Sequence, residues 1–102
     1  MIVIHSEVPI RADSKAEAND ILKKMAATSR EETGVIDYRV TYDIEAPTVA
    51  RIIEQYEDWD AVESHESSSH LEWFQDAIEP LMSAEPRLFR YDVTDRTEGE
   101  GP

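Results

Sequence analysis

Three histidines, His5, His65 and His70, are the side chains of this sequence whose ordinary pKa lies near neutrality, and the chain has no cysteine. Without thiols there is no Cys nucleophile, no thiolate metal site and no disulfide, and the imidazoles are candidates for proton transfer near neutrality. His65 follows Ala61 by four residues and Val62 by three. On a helix that spacing places its ring on the apolar face, pointing inward. An imidazole held there serves as a general acid or base; the competing assignment is a histidine packed and hydrogen-bonded in the core. His70 stands just past a candidate helix cap, where the macrodipole disfavours imidazolium and keeps a neutral base available, unless it is a surface or capping residue. His5 is a strand residue with no motif around it.

Tyr38 and Tyr56 offer phenol hydrogen bonds and flat faces to an aromatic ligand, or simply fill the core. Glu54 lies two residues before Tyr56 on the same strand face and either bonds within the sheet or orients a histidine; a buried carboxylate needs such a partner. Arg39 and Arg51, on neighbouring strands, read as surface charges among many acids. His65, Glu66 and His70 look like a zinc-protease motif with one residue too many. A separation of five does not place two imidazoles on one helical face, and Ser67, Ser68 and Ser69 interrupt the helix. With no Cys and three His, the sequence argues against a metal site. Gly34, Gly99 and Gly101 form no phosphate-binding loop.

These residues are carried by a regular alternation of elements. Residues 1–10 read as a strand with Ile2, Ile4, Val8 and Ile10 on one parity and Val3, His5 and Glu7 on the other; Pro9 suits its end. Ser14 and Glu17 form a capping box before a helix striped by Ala18, Ile21, Leu22, Met25, Ala26 and Ser29, which Gly34 stops. Ile36, Tyr38, Val40 and Tyr42 alternate in a second strand. A turn at Glu45, Ala46 and Pro47 joins it to a third strand, residues 49–57, as an antiparallel hairpin. Asp58 caps a short helix bearing Trp59, Val62 and His65. Ser69 and Glu72 make a second capping box for a helix striped by Leu71, Phe74, Ile78 and Leu81, which Pro80 kinks or ends. A last strand carries Phe89, Tyr91 and Val93 on one parity. The order β, α, β, β, α with a broken helix, β predicts a ferredoxin-like α+β sandwich: a four-stranded antiparallel sheet with helices on one face. Residues 1–94 make one domain, and 95–102 a flexible acidic tail. Val3, Val35, Val49 and Ile53 fall on the second face of the sheet, where a second protomer is the natural cover.

The chain has 102 residues and a formal net charge of −13, with only three lysines among ten basic residues. That sign opposes nucleic acid and anionic membranes, and acids spread along the whole chain fit a protein adapted to a salt-rich cytoplasm, where screening removes self-repulsion. The N-terminal apolar run is too short for a signal peptide or a membrane span, so a cytoplasmic location is expected.

Residues 30–70 resemble the antibiotic biosynthesis monooxygenase family of the dimeric α/β barrel superfamily. The likeness rests on Arg30, Glu31, Gly34 and Tyr38, then Glu54, Tyr56, Glu57, Asp58, Ala61, His65, Ser69 and His70. Tyr56 stands where a Trp is common, and Val35 where a small residue or Cys follows the glycine. The resemblance implies a homodimer whose two sheets enclose a barrel, and oxidation of a small aromatic phenol or quinol by O₂ with no cofactor and no metal. His65 is then the catalytic base, with Tyr38, Tyr56, Glu54 and His70 around the substrate. A noncatalytic small-molecule-binding or stress-response dimer is the first alternative. A haem-binding or haem-degrading enzyme is the second, disfavoured because the first strand lacks the Asn of those relatives and Gln75 falls where their axial His would be.

Overall fold

In the computed structural model, which describes residues 1–102, the first strand, β1 (Ile2–Pro9), buries every second side chain, as its alternation demands. A single 3-10 turn, Ala12–Ser14, leads into α1 (Lys15–Arg30), which buries Ala18, Leu22, Met25, Ala26 and Ser29. Ser14 precedes the helix but its hydroxyl turns to Asp13 Oδ1 at 3.3 Å, so the predicted capping box does not form. Gly34, at φ 89°, takes the left-handed conformation that redirects the chain.

The strands β2 (Val35–Tyr42) and β3 (Val49–Tyr56) pair as the expected antiparallel hairpin. Its loop is closed by Asp43 Oδ1, which accepts from the amides of Glu45 at 2.8 Å and Ala46 at 3.2 Å. One correction follows from a β-bulge. The register slips between Val35 and Asp37, so Val35 pairs with Tyr56 and turns to the helices while Ile36 is left exposed. Strict alternation had assigned these two residues the other way round; the extra residue inverts the parity.

Asp58 caps α2 (Trp59–Glu66) as expected, its Oδ1 accepting from Ala61 N at 2.9 Å. The cap of α3 (Ser69–Ile78) is Ser68 rather than Ser69: Ser68 Oγ accepts from Leu71 N at 3.2 Å. Pro80 lies in a 3-10 turn, Glu79–Leu81, that ends this helix. The last strand, β4 (Arg87–Asp92), completes a sheet of order β2-β3-β1-β4, antiparallel throughout. From Val93 to Pro102 there is no helix or strand.

Two buried clusters lie between sheet and helices. The larger joins Val8, Ile52 and Tyr38 to Leu22, Met25, Phe74 and Ile78; the smaller joins Ile2, Ile4 and Tyr56 to Ala61 and Val62, and Val35 packs against both. The opposite face carries Val3, His5, Glu7, Arg51 and Ile53, to which β4 adds Phe89 and Tyr91, paired with His5 and Val3. Leu88 and Arg90 take the helix side instead. No helix is long and apolar enough to cross a membrane.

Candidate active site

A cavity of about 340 Å³ opens at the junction of the two clusters. Ile4 and Ser6 of β1, Tyr38 of β2 and Ile52 and Glu54 of β3 form its sheet wall; His65 of α2 and Leu71 and Phe74 of α3 form the helical wall. Arg87, Leu88 and Arg90 edge it from β4. Its size falls within the range of small-molecule sites.

His65 is at the centre of the polar groups, 4% exposed. The apolar flank of α2 holds it there, with Ala61 and Val62 one turn earlier packed on the sheet. Its Nδ1 lies 2.7 Å from Glu32 Oε2 and its Nε2 3.7 Å from Glu54 Oε1. The ring stands 5.7 Å from that of Tyr38 and 5.5 Å from that of Tyr56. Because a carboxylate only accepts, Glu32 places the proton of neutral His65 on Nδ1 and leaves the Nε2 lone pair on the Glu54 side.

His70 joins the same network, its Nε2 3.2 Å from Glu32 Oε2 and 3.3 Å from Ser68 Oγ. The single Ser68 proton is engaged by the carbonyl of His65 at 2.7 Å, so His70 Nε2 donates. As the spacing of five implies, the two imidazoles do not share one helical face; they meet across the break between two helices. The break at Ser67 and Ser68 lets α3 start in a new direction, and the rings come within 5.9 Å.

Glu54 is 5% exposed and accepts from Tyr56 Oη at 2.5 Å. Burial pushes its carboxyl above the usual range, against the opposing effects of the Tyr56 hydrogen bond and of His65. Tyr38 is pushed up by burial and then by the charges of Glu54 and Glu32. Tyr56 is pushed up by burial and then by Glu54. Both phenols therefore remain protonated donors, not bases. The structure thus brings His65, His70, Glu54, Tyr38 and Tyr56 into one region.

Three polar groups of this region were not among the candidate site residues, although Ser6 was read on the inward parity of the first strand. Glu32 continues the buried stripe of α1, three residues beyond Ser29, and that periodicity was the available signal. Ser6 shares the buried parity of β1 with Ile4 and Val8. Arg90, whose guanidinium meets Glu66 at 3.0 Å, depended on the register of β4. His5, without a motif, stays outside the cavity. Arg39 is the exposed charge expected, paired with Asp37 at 3.0 Å, whereas Arg51 is clamped between Glu7 and Asp43 on the outer face.

Residues 1–77 match the sequence profile of the family described as antibiotic biosynthesis monooxygenase. The chain belongs to that family. Its fold is shared with a Deinococcus radiodurans protein assigned to these monooxygenases, at 22% identity and TM-score 0.92, covering 99% of this chain and 100% of that one. A Nitrosomonas europaea protein assigned to the same group gives 16% and 0.87 over 93% and 100%. A conserved protein from Methanosarcina mazei Go1 gives 20% and 0.85 over 88% and 89%. At these identities the likeness speaks for the ferredoxin-like architecture alone. None of the curated proteins matches the chain.

Proposed function

We propose that this member of the antibiotic biosynthesis monooxygenase family oxidises a small aromatic phenol or quinol with O₂, using its own side chains and no cofactor. The observation that carries the reading is the 2.7 Å contact of His65 Nδ1 with Glu32, which commits the opposite ring nitrogen to proton acceptance beside a cavity walled by Tyr38 and Phe74. His65 Nε2 takes the phenolic proton. The phenolate gives one electron to O₂, and the resulting radical pair joins at a hydrogen-bearing carbon ortho or para to the phenolate oxygen, forming a C–O bond. The peroxide takes the proton back from His65; loss of the hydrogen on that carbon then breaks the O–O bond, leaving one oxygen as a carbonyl and releasing the other in water. Arg87 and Arg90 edge the cavity, Arg90 paired with Glu66 at 3.0 Å and Arg87 3.8 Å from Glu7, and an anion there would share them with these acids.

The reading includes a homodimer joined sheet to sheet. Support comes from the outer face, where Ile53 and Tyr91 stand 40% and 51% exposed beside Val3 and Phe89. Light scattering in high salt is expected to return twice 11.7 kDa. A monomer at micromolar concentration removes the barrel.

The functional test is an oxygen-uptake screen over phenols and quinols, without added metal or flavin, using isotopically labelled O₂. One labelled atom in the product and one in water is expected. Saturable ligand binding with no uptake across the panel would replace the enzyme by a noncatalytic binding dimer.

A further inference from the structure

We propose that Glu32, His65 and His70 also form a binding site for one divalent transition-metal ion of the zinc type. The three side chains come from three separate segments: the turn after α1, α2 and the first turn of α3. One ligand atom from each lies within 4.8 Å of the other two. His65 Nδ1 and His70 Nε2 stand 2.7 and 3.2 Å from the same oxygen, Glu32 Oε2. Ligands on a tetrahedral zinc ion with bonds of about 2.1 Å stand about 3.4 Å apart, so the two pairs that include Glu32 are already near that spacing and the two imidazole nitrogens lie within 4.8 Å of each other. Two protons now fill the space between these atoms. Replacing them by one ion requires both imidazoles to take the other tautomer, with their protons on His65 Nε2 and His70 Nδ1, and a short retreat of the flexible Glu32 side chain.

Two further observations favour a cation here. His65, which would bind through Nδ1, has Glu54 Oε1 3.7 Å from its other nitrogen, within a small shift of the carboxylate backing that fixes the tautomer and basicity of metal-bound histidines. In addition, neither Glu32 nor Glu54 meets a Lys or Arg: their polar side-chain partners are His65, His70 and Tyr56. Two carboxylates around one deeply buried imidazole leave a negative excess in a low-dielectric setting, which a divalent ion neutralises. Two histidines and one glutamate suit zinc and neighbouring first-row ions, while calcium and magnesium select all-oxygen sites.

Proton and metal exclude each other at His65 Nδ1. Metal at that atom makes Nε2 an N–H donor toward Glu54, so the ion would switch off the base; this consequence rests on the function proposed above, whereas binding itself does not.

The test uses the full chain, stripped with a chelator and titrated with Zn²⁺ and Co²⁺. One ion per chain is expected, with the visible absorption of a low-symmetry Co²⁺ site, a raised Tm, and affinity that falls as the pH is lowered because protons compete for the imidazoles and the carboxylate. In the unmodified chain, Zn²⁺ is expected to shift the imidazole NMR signals of His65 and His70 and leave those of His5 unmoved. Glu32→Gln and the partly exposed His70→Ala should each weaken binding at least about tenfold, and Glu54→Gln by ~10 to 100-fold. His5→Ala should change nothing. Absence of saturable Zn²⁺ binding at millimolar concentration, or NMR shifts confined to His5, overturns the site. If Zn²⁺ binds with these signatures while oxygen uptake is undiminished, the metal site stands and the assignment of His65 as base falls.

Discussion

His5 and His65 both sit beside carboxylates, one on each face of the same sheet, and their surroundings drive those carboxylates in opposite directions. On the outer face Arg51 meets Glu7 at 2.9 Å and Asp43 at 2.8 Å, with His5 Nε2 3.5 Å from the guanidinium. The Arg51 hydrogen bonds hold Glu7 and Asp43 below the usual carboxylate range. On the inner face no guanidinium reaches Glu54, and burial pushes it up. The two faces teach that His and Glu in proximity do not make a reactive site. What sets the inner face apart is that Glu54 is desolvated with no permanent cation to hold it ionised, the kind of setting in which groups at functional sites are perturbed.

The largest effect expected from this contrast is on rate. His65→Ala should lower phenol or quinol oxidation by ~10² to 10⁴ through loss of the base, while His5→Ala leaves it unchanged. The same His65 variant loses the Glu32 hydrogen bond and should cost about 1 to 3 kcal/mol of stability. A melting curve on each variant separates the two effects. Normal specific activity in folded His65→Ala would make this histidine a packing residue and erase the difference between the faces.

Next in size is the approach of α2 to the chain. A Cβ at Gly34 would stand 2.6 Å from Ala61 Cβ, at a φ that side chains disfavour. Gly34→Ala should therefore cost about 2 to 4 kcal/mol, from backbone strain and overpacking together, and shift His65 relative to the sheet. Denaturant unfolding measures the cost. The Arg51 cluster, which does not depend on α2, should keep its pH signature in this variant; its loss would show that the two faces are coupled.

The pH dependence of stability separates the faces by sign. Glu54 binds its proton more tightly folded than unfolded, so it weakens the fold as pH rises above the ordinary carboxylate value. Glu54→Gln keeps the Tyr56 hydrogen bond and should gain on the wild type over that interval. Glu7 and Asp43 are shifted down, so their contribution is present above the ordinary value and lost as pH falls through their lowered values. Arg51→Gln should flatten that acid-side loss. Urea unfolding from pH 3 to 7 tests both, and an Arg51→Gln effect that stays the same from pH 7 down to pH 3 would refute the assignment.

The smallest difference expected is in salt response. Ion pairs at the outer face are screened by molar KCl and the buried network is not, so salt should shrink the Arg51→Gln effect and leave the Glu54→Gln effect standing. The wild-type Tm should rise from dilute buffer to molar KCl as repulsion among charges summing to −13 is screened. A flat or falling Tm would remove adaptation to a salt-rich cytoplasm.

Short-range patterns in the chain were enough for the element order, the hairpin, the Asp58 cap and the inward turn of His65, because each depends on neighbours within about one helical turn or one strand period. Differences arose where one residue changes a parity, at the Ile36 bulge, and at the helix caps, where Ser14 makes no cap and Ser68 replaces Ser69. Alternation alone contains no information about a bulge, since the extra residue is absorbed by pairing with a distant strand. The meeting of Glu32, His65 and His70 was decided by tertiary structure. It needs the end of α1 to lie against the break between α2 and α3, and that distance is set by core packing among Leu22, Met25, Phe74 and Ile78, four side chains that carry no chemistry themselves.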